Sequence, residues 1–158
     1  MPSLDLISSS FITAWTDSDS TPLCPANRIY LDRPQQPLPL GAGFPYMAMD
    51  IAEIEHEVST QQEDFNSLVT YRFTLEIWTC QGMTGGTSTG DQVTDMGNLQ
   101  RGVSAILDRL PPNTGWNFLD NFLHCINEGA MTCRKDNSLY LGKDVLHSSQ
   151  SWQILVAE

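Results

Sequence analysis

The chain has 158 residues and a mass of 17.6 kDa, the size of one domain, and a core of that size is stable without metal or disulfides. Hydrophobic residues make up 41% and charged residues 17%, which excludes a chain too polar to fold and gives a single unit over residues 1–158. Nineteen acids against eight bases leave a net charge of −11, which excludes a protein that grips nucleic-acid phosphates through a basic patch.

Ser3 precedes Leu4, Ile7, Phe11, Ile12 and Trp15, whose steps of three and four form one helical stripe, so residues 4–15 are expected to be a short amphipathic helix capped by Ser3. The first 27 residues contain no Lys or Arg, and Asp5 interrupts the opening apolar stretch. Neither an export signal nor a membrane span is therefore expected. Residues 17–25 read as a loop, and Arg28 to Leu31 as a short strand. Pro34, Pro37 and Pro39 then forbid ladder pairing and mark an extended connector that ends at Gly41-Ala42-Gly43-Phe44-Pro45.

From Tyr46 to Val58 the residues alternate. Ala48, Ala52, Ile54 and Val58 are expected on one side, and Met47, Met49 and Ile51, followed by Glu53, Glu55 and Glu57, on the other. Ser59 to Asn66 reads as a turn, after which Val69, Tyr71, Phe73, Leu75 and Ile77 alternate with polar residues up to Trp78. Two long strands joined by a short polar link predict an antiparallel hairpin with one buried face. Residues 82–90 are rich in glycine and hydroxyls and predict a flexible loop.

Asp91 then opens a helix whose stripe is Val93, Met96, Leu99, Val103, Ile106, Leu107 and Leu110, stopped by Pro111-Pro112. That stripe is expected to lie on the hairpin face of Tyr71, Phe73 and Leu75. Short runs follow at 116–126, 131–134 and 139–141. The last run, 150–157, is apolar on both sides and suits an interior strand. The fold class predicted is α+β: an antiparallel sheet with a long hairpin, packed against a long helix, plus a short N-terminal helix.

Sites of chemistry are sparse. No Gly-Lys-Ser/Thr or Gly-x-Gly-x-x-Gly is present, and Asp91 and Asp95 would repel a phosphate at the helix start. His56 is expected to point away from Glu53, Glu55 and Glu57, so these do not converge on a metal. His124, Cys125 and Cys133 lack a fourth ligand at any common zinc spacing. Cys24, Cys80, Cys125 and Cys133 form no Cys-x-x-Cys pair and read as reduced. No Gly-x-Ser-x-Gly surrounds any serine, and His147-Ser148 is a neighbourhood in sequence only. No catalytic, metal or cofactor residue is assigned. What stands out is the acid row Glu53, Glu55 and Glu57, for which solubility alone is the plain explanation.

The opening helix, the strand Arg28-Ile29-Tyr30-Leu31, the proline-rich connector into Phe44-Pro45-Tyr46-Met47, the hairpin ending in Arg72-Phe73-Thr74-Leu75-Glu76-Ile77-Trp78, and the helix from Val93 to Leu110 resemble tail-terminator and tail-completion proteins of long-tailed bacteriophages. The likeness covers most of the chain and lies nearest the lambda-type terminators and related head-tail joining proteins. It implies an α+β subunit with no enzymatic activity and no cofactor, made in the host cytoplasm and carried in the virion tail or neck. It also implies self-assembly into a ring, usually of six copies, that caps the tail tube protein and meets a head-closure or connector protein. DNA passes through such a bore without specific binding, and no membrane is involved. A head-to-tail ring repeats one heterologous interface, and an acidic bore keeps DNA moving. Some of Glu53, Glu55, Glu57, Asp91 and Asp95 are therefore expected at the bore or assembly surface. Two alternatives remain: a head-closure or connector protein of the neck, and a small metal- or ligand-binding domain built on His124, Cys125 and Cys133.

Overall fold

A computed structural model describes residues 4–32, 43–58, 67–82, 87–107, 122–129, 131–140 and 143–157. In chain order the elements are α1 (Leu4–Thr16), two 3₁₀ turns (Thr21–Leu23 and Ala26–Arg28), β1 (Ile29–Leu31), β2 (Tyr46–Val58), β3 (Ser67–Cys80), α2 (Gln92–Leu107), β4 (Phe122–Asn127), β5 (Thr132–Tyr140) and β6 (Lys143–Ala157). The expected cap at Ser3, most of the connector before Gly43, the turn at 59–66, residues 83–86 of the glycine-rich loop and the stop at Leu110 to Pro112 lie outside the described residues, as does Trp116.

Six strands form one sheet in the order β1-β2-β3-β6-β4, with β5 also on β6. The fold is α+β, and β2 and β3 pair antiparallel from Tyr46–Trp78 to Val58–Ser67. One expectation needs correction: the sheet is mixed, because β1 runs parallel to β2, Ile29 opposite Met47 and Leu31 opposite Met49. Residues 32–45 between these strands are long enough to bring the chain back to the starting end, the length a parallel return requires. β4 and β5 share the outer edge of β6, one on each half. The long interior position of β6 between β3 and this pair matches its two apolar sides.

One face of the sheet carries the core. Met47, Met49 and Ile51 of β2, Tyr71, Phe73, Leu75 and Ile77 of β3, and Trp152, Ile154 and Val156 of β6 are all buried there against both helices. From α1 come Ile7, Phe11 and Trp15, each 0% exposed, so the stripe of three- and four-residue steps is the buried one. The Trp15 indole N–H is satisfied by the Cys24 carbonyl at 2.8 Å, which ties the helix to the loop after it.

From α2 come Met96, Leu99, Val103, Ile106 and Leu107. Five such side chains at about 1.5–3 kcal/mol each outweigh the roughly 1 kcal/mol that each of Gly97 and Gly102 costs in a helix interior. Val93 was expected on this stripe and is instead 71% exposed, while its neighbour Gln92 turns to the sheet and bonds to the Thr79 and Asp144 carbonyls. Leu110 lies beyond the described part of the helix.

Candidate functional site

The distal half of β2 leaves the core. Ala52, Glu53, Ile54, Glu55, His56 and Glu57 are all exposed, although a strand laid on a core ordinarily buries every second residue. The expected row of three glutamates on one face is not formed. The register with β3 slips between Glu53 and Glu55, so that Glu53 lies opposite Tyr71 and Glu55 opposite Thr70. Ile54 is the extra residue of a bulge, and a bulge reverses which side each following residue takes. Glu53 and His56 therefore share the helix-facing side, with His56 Nδ1 3.3 Å from a Glu53 carboxylate oxygen, while Glu55 and Glu57 occupy the opposite, wet face. The expectation that His56 opposes all three glutamates fails for the same reason.

Asp91 and Asp95 work at the start of α2. The Asp91 carboxylate caps the helix, accepting from the Val93 N–H at 3.3 Å and from the Thr94 hydroxyl. These bonds, the Thr94 hydroxyl foremost, hold its pKa below the usual carboxylate range. Asp95 is 4% exposed. It accepts from the Ser88 hydroxyl at 2.7 Å and from both the N–H and the hydroxyl of Thr89 at 2.8 Å. Its placement at an assembly surface is thus corrected: the carboxylate anchors residues 88–91 to the helix start, where a negative charge also suits the helix dipole.

These two acid groups lie at opposite ends of the sheet. Gln92 donates to the carbonyls of Thr79 and Asp144 at 3.0 Å, whereas Glu57 pairs with Leu68. Eleven residues of β3 separate the two levels, on the order of 35 Å.

The wet face of the sheet carries an array that sequence reasoning missed. Tyr46, Trp78 and His147 stack across β2, β3 and β6 with successive ring centroids 4.9 and 4.5 Å apart, and Phe44, just before β2, packs on Tyr46 at 5.3 Å in a tilted arrangement. Phe44, Ala48, Trp78, Cys80 and Val145 are buried there as a second, smaller cluster. The His147 ring nitrogen lies 3.2 Å from a Glu76 carboxylate oxygen. Beside this pair a hollow of about 240 Å³ is lined by Asp32, Asp50, Thr74 and Glu76. The alternation of Thr74, Glu76 and Trp78 against Phe73, Leu75 and Ile77 was the available signal, but joining it to Tyr46 and His147 requires the register of three strands.

Further along the wet face, Arg72 makes a two-pronged ion pair with Glu128 at 2.9 and 3.2 Å. Together with the Gln153 amide at 2.7 Å, Arg72 keeps the Glu128 carboxyl below its usual pKa. His147 and Ser148 do take opposite sides of β6: Ser148 bonds to Gln100 of α2 at 3.0 Å.

The thiol set proposed for zinc is separated. Cys125 sits opposite Ile154 and Cys133 opposite Ser148, six residues apart on β6 and roughly 20 Å along the strand, too far to share an ion. His124 belongs to β4, and its side chain lies outside the described residues. No group of three or more metal-ligating side chains converges among the described residues. Cys24, Cys80, Cys125 and Cys133 form no disulfide among the described residues. Burial pushes the Cys24 thiol up to about 12 against the opposing pull of Arg28, so it stays protonated and inert. No helix among the described residues is long and apolar enough to cross a membrane.

The outer edge of β6 supplies the chain's only adjacent basic residues, Arg134 and Lys135 of β5. Both are exposed. Arg134 lies opposite His147 on the wet face and Lys135 opposite Leu146 on the helix-facing side, where it pairs with Asp144 at 3.0 Å.

No protein-family model matches the sequence, and a search of curated proteins finds no match. Among solved structures, a chain from the virion of a native gene transfer agent particle has a similar fold. The likeness has a TM-score of 0.50 at 11% identity and covers 96% of this chain and 98% of that one.

Proposed function

We propose that the chain is a structural, non-enzymatic component of a phage-type virion: a tail-terminator-like subunit that closes into a ring, caps the tail tube and lets DNA through its bore. The observation that carries this reading is the end-to-end likeness to a chain of a gene transfer agent virion, over 96% and 98% of the two lengths. The likeness runs over nearly the full length of both chains, which is more than one shared motif would give. The acidic balance agrees, since a bore that repels phosphates does not retain DNA. Of the acids proposed for that surface, Glu53, Glu55, Glu57 and Asp91 are exposed and available to it.

Native mass spectrometry and electron microscopy of the purified protein over a range of concentrations test the reading. Expected is a single closed species, six times 17.6 kDa, with a central hole. A protein that remains monomeric at its highest soluble concentration would overturn it. Rings that join portals in place of tubes would move the subunit to the neck. Lysine at Asp91, the exposed candidate acid outside the β2 row, should slow DNA passage through assembled rings, and unchanged ejection kinetics would remove the acidic-bore part.

A further inference from the structure

We infer that the acidic end of the β2–β3 hairpin is the donor half of the joint between copies, and that it docks on Arg134 and Lys135 at the β5 edge of a second copy of this chain. This rests on the ring reading and names its interface. A ring closed by rotation needs two different, complementary patches on each subunit, placed on opposite flanks. The sheet provides such a pair. At one flank, six consecutive residues of β2, Ala52 to Glu57, are exposed on both sides of the strand, and they form a sheet edge that β1 does not reach, since it pairs only with Met47 to Met49. At the other flank, Thr132 to Lys135 of β5 are likewise exposed.

The charges match by face as well as by sign. Because of the bulge, Glu53 is on the helix-facing side and Glu55 and Glu57 are on the wet face. The adjacent pair Arg134-Lys135 divides in the same way, Lys135 to the helix-facing side and Arg134 to the wet face. A straight run of three glutamates on one face would have met only one of the two bases. The existing partners do not bar the exchange: Lys135 and Asp144 are 59% and 44% exposed and His56 and Glu53 37% and 41%, and exposed ion pairs of this kind hold their geometry weakly. The two patches sit at diagonal corners of the sheet, so the joint sets the strands oblique to the ring axis.

Charge reversal with rescue tests this on the full chain. The variant E53K/E55K/E57K and the variant R134E/K135E should each lose the ring and remain folded monomers by circular dichroism, since each presents like charges across the joint. An equimolar mixture of the two should regain rings of alternating composition, because every joint in the mixture is again opposite in sign. The five-fold variant should regain them alone. Rings that persist in both single-patch variants would overturn the joint, leave the ring reading standing and move the glutamates to the tube or the bore. Loss of rings without recovery in the mixture would also overturn the joint. A wild type that forms no ring would overturn the ring reading itself.

Discussion

A methyl group added at Gly102 would place its carbon 2.5 Å from the Ser20 hydroxyl oxygen, 2.9 Å from the Ser20 Cβ and 3.1 Å from the Trp15 ring. The glycine in this helix is thus a spacing device: it lets α2 close onto the segment that follows α1, where Ser20 immediately precedes Thr21. The Thr21 hydroxyl is 2.7 Å from the Trp15 carbonyl and 2.8 Å from that of Thr16, at the C-terminal end of α1. Helix propensity alone favours alanine at such a site by about 1 kcal/mol, but overpacking against a well-filled site costs about 1–3 kcal/mol. Gly102→Ala should therefore destabilise the protein in urea titration, in spite of its better propensity. Removing the obstruction with Ser20→Gly in the same chain should recover most of the loss. A Gly102→Ala protein as stable as the parent would mean that the loop shifts freely and that the close approach is incidental.

At the scale of elements, the bulge in β2 makes a sharper prediction than the strands around it. Ile54 is the one residue of β2 without an opposite number in β3, the pairing resuming at Glu55–Thr70. It is 39% exposed, so deleting it leaves every other pair in register and removes no core contact. The deletion should alter stability by no more than about 0.5 kcal/mol, the range of an inconspicuous surface change. Deleting Thr74 from β3 should abolish folding, since β3 has no spare residue and a one-place slip turns half of its apolar set to the wrong face. Urea midpoints of the two deletions decide the matter. The bulge also shows where sequence reading reaches its limit. Periodicity revealed α1, α2, β2 and β3, because both helices, β3 and the first half of β2 each lay an apolar face on the core. It could not reveal the bulge, since Ile54 occupies an ordinary place in the alternation of Ala52, Ile54 and Val58. Nor did it reveal the first half of β6, where Ser148 on the helix-facing side serves Gln100, and Gln150 on that side serves the Asn127 and Gly129 oxygens. Polar residues with tertiary partners erase the contrast that marks a strand. The direction of β1 was equally hidden, because three residues carry no information on whether the neighbouring strand runs parallel. Of the candidate acids, the exposure of Glu53, Glu55, Glu57 and Asp91 was legible from local polarity. The burial of Asp95 was not, since its partners Ser88 and Thr89 belong to a loop with no period of its own.

At the scale of the whole molecule, two electrostatic effects oppose one another, and their ranges differ enough to separate them. Each copy carries a net charge of −11, spread over the subunit, so copies repel one another across tens of ångströms. The proposed joint between Glu53, Glu55 and Glu57 of one copy and Arg134 and Lys135 of the next would instead attract at close range, across a few ångströms. The screening length is roughly 30 Å at 0.01 M salt, 10 Å at 0.1 M and 3 Å at 1 M. Raising salt from the lowest value first removes the long-range repulsion and leaves the contact pairs nearly intact, so ring formation should rise. Raising it further reaches the contact distance and weakens the joint, so ring formation should fall. The fraction of protein in rings, followed by light scattering at fixed protein concentration, should therefore pass through a maximum near 0.1 M salt. The glutamate-to-lysine variant mixed with its charge-reversed complement should show the same fall at high salt, because its joints are also ionic. A fraction that climbs steadily to 1 M would point to a joint held by apolar surface, with the exposed Ile54 and Ile126 as its first suspects. A steady decline from the lowest salt would mean that the net charge is held far from the joint and does not oppose assembly.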